Sequence, residues 1–290
     1  MADKFIDIPG LEETKKEAKA SKKKVKTKKK NYYLFILDAS GSMSSSRDAT
    51  IAGFNKQIET MKEESIKYDN QDFFVTLVTF STPEKIHTVY SNISAKEVKP
   101  LTRSDYDPDG GTALRDAIGI SVANLKDKAT TDLKNKDTKV IFTIFTDGEE
   151  NASETYSDQQ IKDLIAELKA SEKWTVAYVG ASERSVKIAG GLGIAAGNTV
   201  RYDASSAAGY TKAFDHLSLS TRRYASMRSM SVPDAITEKQ LSMNYMSETD
   251  DAVDLTAPDV SQMPTVYPIA ALNKIAKAFE DADKEDDTKK

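Results

Sequence analysis

The 290-residue chain has no cysteine and only two histidines, His87 and His216. The missing cysteines exclude disulfides, thiolate nucleophiles, zinc–cysteine clusters and iron–sulfur ligation. Two histidines so far apart in sequence do not suggest a multi-histidine metal site. Any metal chemistry must then rest on oxygen ligands. The longest apolar runs are about six residues, against the roughly 18 that span a bilayer. Residues 1–10 lack the basic start and apolar stretch of a secretory signal. The expectation is a cytoplasmic protein, or one built into a virion or other assembly, with no membrane partner.

Charge is abundant but segregated. The net charge of −4 comes from 41 basic and 45 acidic residues. Residues 1–30 hold 11 Lys against 5 acids, and residues 248–290 hold 5 Lys against 11 acids. The small total is therefore a cancellation between the two ends. This reads as a basic arm at 1–30, a globular domain at 31–224 and a tail at 225–290. The tail is first Ser- and Met-rich, then acidic. Ile269, Leu272, Ala276 and Phe279 mark a short amphipathic helix near 268–283, whose apolar stripe calls for a partner. The run Lys15–Lys30 has too little apolar surface to repay ordering. It has no aromatic residue to stack on bases and no arginine, so it offers only weak, sequence-independent attraction to nucleic acid.

Within the domain, Tyr32–Leu37, Phe73–Phe80, Val140–Phe145 and Trp174–Val179 are unbroken runs rich in β-branched and aromatic residues. Such runs suit parallel strands buried on both faces. Helical spacing links Ile51, Phe54, Ile58 and Met61. It links Leu114, Ile118, Val122 and Leu125, and again Ile161, Leu164, Ile165 and Leu168. The pattern predicts an α/β fold: a doubly wound, mostly parallel sheet with helices on both faces. Ser81–Glu84 is too short for a crossover helix. It predicts a hairpin into one antiparallel edge strand over 85–93 that carries His87. A last strand follows at Thr199–Tyr202, then a helix to about Tyr224. The glycines at 190, 191 and 193 read as a turn before that strand, and Arg222, Arg223 and Arg228 as a solvated or interface face.

Three segments carry the chemistry. Asp38-Ala39-Ser40-Gly41-Ser42 follows the first strand, Gly110-Gly111-Thr112 opens a helix, and Thr146-Asp147-Gly148-Glu149 ends a later strand. In an open α/β sheet, ligands bind at the carboxyl ends of the strands. The order thus brings Asp38, Ser40, Ser42, Thr112 and Asp147 to one rim. Hydroxyls with carboxylates are hard donors suited to octahedral Mg²⁺, with Mn²⁺ as an alternative.

These three motifs, in this order, resemble the metal-ion-dependent adhesion site of von Willebrand factor type A (vWA) domains. The resemblance covers about residues 31–224. It implies that Ser40, Ser42 and Thr112 contact the metal, usually directly, and that Asp38 and Asp147 usually act through water. It also implies that a partner Asp or Glu completes the coordination, so that the domain binds rather than catalyses. Ile51-Ala52-Gly53-Phe54-Asn55 and Gly193-Ile194 ahead of Asn198 look like small soluble bacterial and phage vWA proteins. Some of those work beside AAA+ ATPases or belong to stress-response systems. A regulatory subunit of such a system is one alternative. The other is a structural component of a large assembly, tethered through its charged ends.

Other readings of the same residues are weaker. Asp105-Tyr106-Asp107-Pro108-Asp109-Gly110 matches the opening of an EF-hand loop, with Asp116 at the twelfth position. That position normally carries Glu, and Pro108 is awkward there. Asp105, Asp107 and Asp109, with Glu149, read better as a rim that screens partners or supports the metal. Glu150 and Asn151 read as solvated loop. A phosphoryl-accepting Asp38 would need a second Asp where Ser40 stands. No Gly-x-Ser-x-Gly elbow supports a serine hydrolase.

Overall fold

The computed structural model describes residues 28–147, 149–181, 183–229, 242 and 244–247. The arm up to residue 27 and the helix expected near 268–283 lie outside the described residues. Six strands form one sheet: β1 (Lys29–Asp38), β2 (Gln71–Phe80), β3 (Ile86–Ser94), β4 (Thr138–Thr146), β5 (Trp174–Gly180) and β6 (Thr199–Arg201). Their spatial order is β3-β2-β1-β4-β5-β6. Every pairing is parallel except β2 with β3. The mostly parallel sheet with one antiparallel edge is as the sequence predicts. β1 lies near the middle of the sheet, where a strand must be apolar on both faces.

Among the described residues six α-helices connect or flank the strands. They are α1 (Arg47–Lys67), α2 (Leu114–Lys128), α3 (Thr130–Leu133), α4 (Asp158–Ala170), α5 (Glu183–Gly191) and α6 (Ala207–Ser229). The two-residue period of β1 divides the core. Tyr33, Phe35 and Leu37 pack with Phe54, Ile58 and Met61 of α1 and Phe214 and Leu217 of α6. Tyr32, Leu34 and Ile36 face α2 and α4, against Ile118, Val122, Ile161 and Ile165. Gly53 lets α1 and α6 approach closely: a Cβ there would lie 2.1 Å from Cδ2 of Phe214. Asn55, beside it, grips Leu101 by both backbone groups, accepting from its N–H at 2.7 Å and donating to its carbonyl at 3.0 Å. Among the described residues no helix is long and apolar enough to cross a membrane.

The structure departs from the sequence reading in four places. First, β1 starts at Lys29, inside the segment read as arm. The parallel ladders to β2 and β4 satisfy the backbone of Lys29 and Lys30 whatever their side chains. Second, Gly190 and Gly191 end helix α5 rather than forming the turn alone. Third, α6 continues to Ser229. Arg228 is buried, donating to the Asp137 carbonyl at 2.7 Å and lying over the Tyr224 ring, so it is no solvated face. Fourth, residues 244–247, at the end of the Ser- and Met-rich stretch, lie against the body. Tyr245 and Met246 are buried, and the Met246 N–H donates to the Gly197 carbonyl at 2.9 Å. His216 fits the structural role expected of it, bonded through Nε2 to the Met246 carbonyl, while His87 lies exposed on β3.

Candidate metal centre

Asp38 is the last residue of β1 and is fully buried. Its Oδ1 accepts the Ser40 N–H at 2.7 Å, and its Oδ2 accepts the Thr146 hydroxyl. A 3₁₀ turn over Gly41–Ser46 then presents Ser42 to solvent. The Ser40 and Ser42 hydroxyl oxygens are 3.1 Å apart, and Ser42 Oγ donates to Asp147 Oδ1 at 2.8 Å. Asp38, Ser40, Ser42 and Asp147 thus form one connected polar chain at the carboxyl ends of β1 and β4.

Thr112 joins this group through its loop. The Gly41 N–H donates to the Gly110 carbonyl at 3.0 Å, and the Asp109 N–H donates to the Ala39 carbonyl at 2.9 Å. Gly110 has φ +74°, and a Cβ at Gly111 would lie 2.9 Å from Asn151 Oδ1. The double glycine therefore serves both a left-handed turn and a close approach. Thr112 is buried and lies two residues ahead of α2, rather than at its start as expected.

Asn151 is not simply the solvated loop residue that the sequence suggests: its backbone and side chain hold Thr112. The Thr112 N–H donates to Asn151 Oδ1 at 2.8 Å, and the Asn151 N–H donates back to the Thr112 carbonyl at 3.1 Å. Glu150 is also no free surface acid. It accepts from the N–H groups of Arg115, Ala152 and Ser153 and from the Ser153 hydroxyl. Thr146 and Tyr106 had no role assigned from the sequence. Tyr106 is fully buried and its hydroxyl donates to the Asp38 carbonyl. An aromatic residue inside an acidic hexapeptide is the one signal that could have marked it.

The acidic rim is distributed. Asp107 pairs with Arg47 at 3.0 Å, Asp109 with Lys85 at 2.6 Å and Glu149 with Arg184 at 2.7 Å. Asp105 accepts from the Thr102 N–H and hydroxyl. Asp116 is buried and accepts the backbone N–H groups of Glu154, Thr155 and Tyr156. The carboxylates of the EF-hand-like stretch therefore serve four different partners and do not converge on one ion.

The electrostatics of the main group test whether a cation fits. Burial pushes the Asp38 carboxyl up to about 6, against the pull of the Thr146 and Ser40 hydrogen bonds, and Asp147 adds repulsion. Burial also raises Asp147, opposed by the Ser42 hydroxyl. No cationic side chain is among the groups acting most strongly on either acid. A buried acid and a half-buried one, linked through two serines, lack a positive charge, and a divalent cation with oxygen preference supplies one. Among the described residues no three His, Cys, Asp or Glu side chains gather in a way that could hold a metal. The fit therefore depends on the hydroxyl oxygens completing a set with only two acids.

A sequence model described as the von Willebrand factor type A domain matches residues 34–208, more than half of the chain. The chain belongs to the von Willebrand factor type A domain family. The matched span of this vWA domain runs from β1 into α6 and contains all five candidate ligands. No curated protein matches the chain. Solved structures similar to this vWA chain include the pilus adhesin SpaC from Lactobacillus rhamnosus GG, at 14% identity and a TM-score of 0.48. That match covers 68% of this chain and only 30% of SpaC. The SpRpn10 VWA domain matches at 11% identity and a TM-score of 0.46, covering 63% of this chain and 93% of that one. The manganese-loaded TRAP protein of Plasmodium vivax matches at 18% identity and a TM-score of 0.43, covering 64% and 73%.

Proposed function

We propose that the chain is a metal-dependent protein-binding module. Ser40, Ser42 and Thr112, with Asp38 and Asp147, would hold a Mg²⁺ ion, with Mn²⁺ able to replace it. The bound ion supplies a Lewis-acidic point to which an Asp or Glu of a partner protein attaches. The observation that carries this reading is the polar chain Asp38–Ser40–Ser42–Asp147, which joins the buried Asp38 to the half-buried Asp147 and places no cationic side chain among the groups acting most strongly on either acid.

The surrounding residues support binding over catalysis. His216 is engaged with the Met246 carbonyl, and His87 lies on the edge strand β3, separated from β1 by β2. Asp107, Asp109 and Glu149 are each paired with a basic side chain. These exposed pairs contribute little stability. They do mute a negative rim that would repel an incoming carboxylate, and they give the partner a patterned surface to read.

Two measurements test the reading. Calorimetric titration of Mg²⁺ should show one site in the wild-type protein and none in Thr112→Ala or Asp38→Ala. Affinity capture of partners should then be lost in EDTA and with both variants. Partner capture that is indifferent to EDTA and to both substitutions would overturn the proposal.

A further inference from the structure

We propose that Tyr106 is a positioning residue of the metal centre, its buried hydroxyl holding the Asp38 carbonyl and so the spacing between the Asp38–Ser42 and Gly110–Thr112 loops. The inference rests on the metal-binding reading above and goes beyond it, because Tyr106 is not a ligand.

The geometry begins with a gap in the sheet. β1 pairs with β4 only as far as Leu37, opposite Phe145, so the Asp38 carbonyl is the first beyond that ladder. It receives the Tyr106 hydroxyl instead. A buried carbonyl at that point needs a donor, and a phenol reaching in from another loop provides one. Burial raises the Tyr106 pKa well above its ordinary value, which keeps the hydroxyl a donor throughout the working pH range.

The loop that carries Tyr106 is itself fastened. The N–H groups of Asp105 and Tyr106 both donate to the Thr102 carbonyl, at 3.1 and 3.2 Å. Arg47, at the start of α1, donates through Nε to the Tyr106 carbonyl at 2.9 Å and also bonds the Arg103 carbonyl. Tyr106 therefore reaches Asp38 from a braced frame. Its bond joins two backbone bonds, Asp109 to Ala39 and Gly41 to Gly110, which cross the same seam. Of the three, only the Tyr106 bond comes from a side chain, so one oxygen atom can be removed without altering the backbone.

Tyr106→Phe removes that atom and keeps the ring. Tyr90→Phe is the matched control: Tyr90 is also buried, and its hydroxyl donates to a backbone carbonyl, that of Lys99, at 2.8 Å. Mn²⁺ is the probe, with free ion counted by electron paramagnetic resonance, and thermal unfolding in EDTA reports the metal-free fold. Both variants should unfold at somewhat lower temperature in EDTA. Only Y106F should weaken Mn²⁺ binding, by about five-fold, the factor equivalent to one net hydrogen bond. Wild-type affinity in Y106F, or equal weakening in Y90F, would overturn the positioning role while leaving the metal site standing. A wild-type protein that binds no Mn²⁺ would overturn both. If Y106F does not fold, Arg47→Gln loosens the same loop from its other side, and unchanged Mn²⁺ affinity in that variant would refute the inference.

Discussion

Asp38→Asn should push stability in opposite directions with and without metal. In the metal-free protein, Asp38 is a buried acid raised to about 6 from an ordinary 3.8. That gap corresponds to about 3 kcal/mol of lost folding free energy once the group is ionised in both states. The folded protein holds this proton more tightly than the unfolded chain does. The group's stabilisation is therefore complete below about pH 4 and disappears as pH rises through about 6. Asparagine has no such dependence. It can still take one of the two bonds from the Ser40 N–H and the Thr146 hydroxyl, and a lost one costs about 1 kcal/mol. The net gain at pH 8 is about 1–2 kcal/mol, or roughly 4 °C in melting temperature for a domain of this size. Differential scanning calorimetry in EDTA should show the variant slightly less stable than wild type below about pH 4, the two melting temperatures crossing between about pH 4 and 6, and the variant ahead by a constant margin above about pH 6. Addition of Mg²⁺ at pH 8 should raise the wild-type melting temperature and leave the variant unchanged. A variant less stable than wild type in EDTA at pH 8, or one still stabilised by Mg²⁺, would refute the reasoning.

Three other substitutions probe the scaffold. Asn151→Ala removes the acceptor of the Thr112 N–H. It should cost about 1–2 kcal/mol and weaken Mg²⁺ binding measured by calorimetry, although Asn151 is no ligand. Gly53→Ala drives a Cβ into the Phe214 ring. Overpacking should cost about 1–3 kcal/mol by urea unfolding, and Phe214→Leu should recover most of it in the double variant. Asp116→Asn weakens a carboxylate that caps three backbone N–H groups. It should destabilise the fold by about 2 kcal/mol or more. Ca²⁺ should shift the melting temperature of neither that variant nor the wild type beyond what Mg²⁺ does. A specific Ca²⁺ shift lost in the variant would revive the EF-hand reading.

The strands were legible because a doubly covered sheet leaves a simple trace. Tyr32–Leu37 must be apolar at every position, since alternate residues serve opposite layers. The amphipathic helices α1, α2 and α4 announce themselves by the same logic at period 3.6. α5 did not. It is nine residues long and ends in two glycines, and a turn has the same composition. The return of Tyr245 and Met246 was hidden for another reason. The apolar residues of this segment, interrupted by Ser242 and Asn244, make too short a pattern to read, and only the third dimension shows Asn198 bonded to both sides of Tyr245, through the Tyr245 N–H and the Ser242 carbonyl.

The same division runs through the candidate site. Asp38, Ser40, Ser42, Thr112 and Asp147 could be nominated from the sequence because hard side-chain donors come from a few residue types, and here they stand in short motifs at strand ends. The residues that hold them have no such restriction. Tyr106 answers a backbone carbonyl, Asn151 a backbone N–H and carbonyl, and Glu150 and Asp116 several N–H groups. Backbone groups are present at every position, so the sequence does not show which one a polar side chain will meet. Charge is equally ambiguous. Asp105, Asp107, Asp109 and Asp116 look like one calcium loop in sequence, yet Thr102, Arg47, Lys85 and the 154–156 backbone divide them. The acids that do converge, Asp38 and Asp147, stand more than a hundred residues apart. They are joined by two serines, because β1 and β4 are neighbours in a sheet whose order is not the order of the chain.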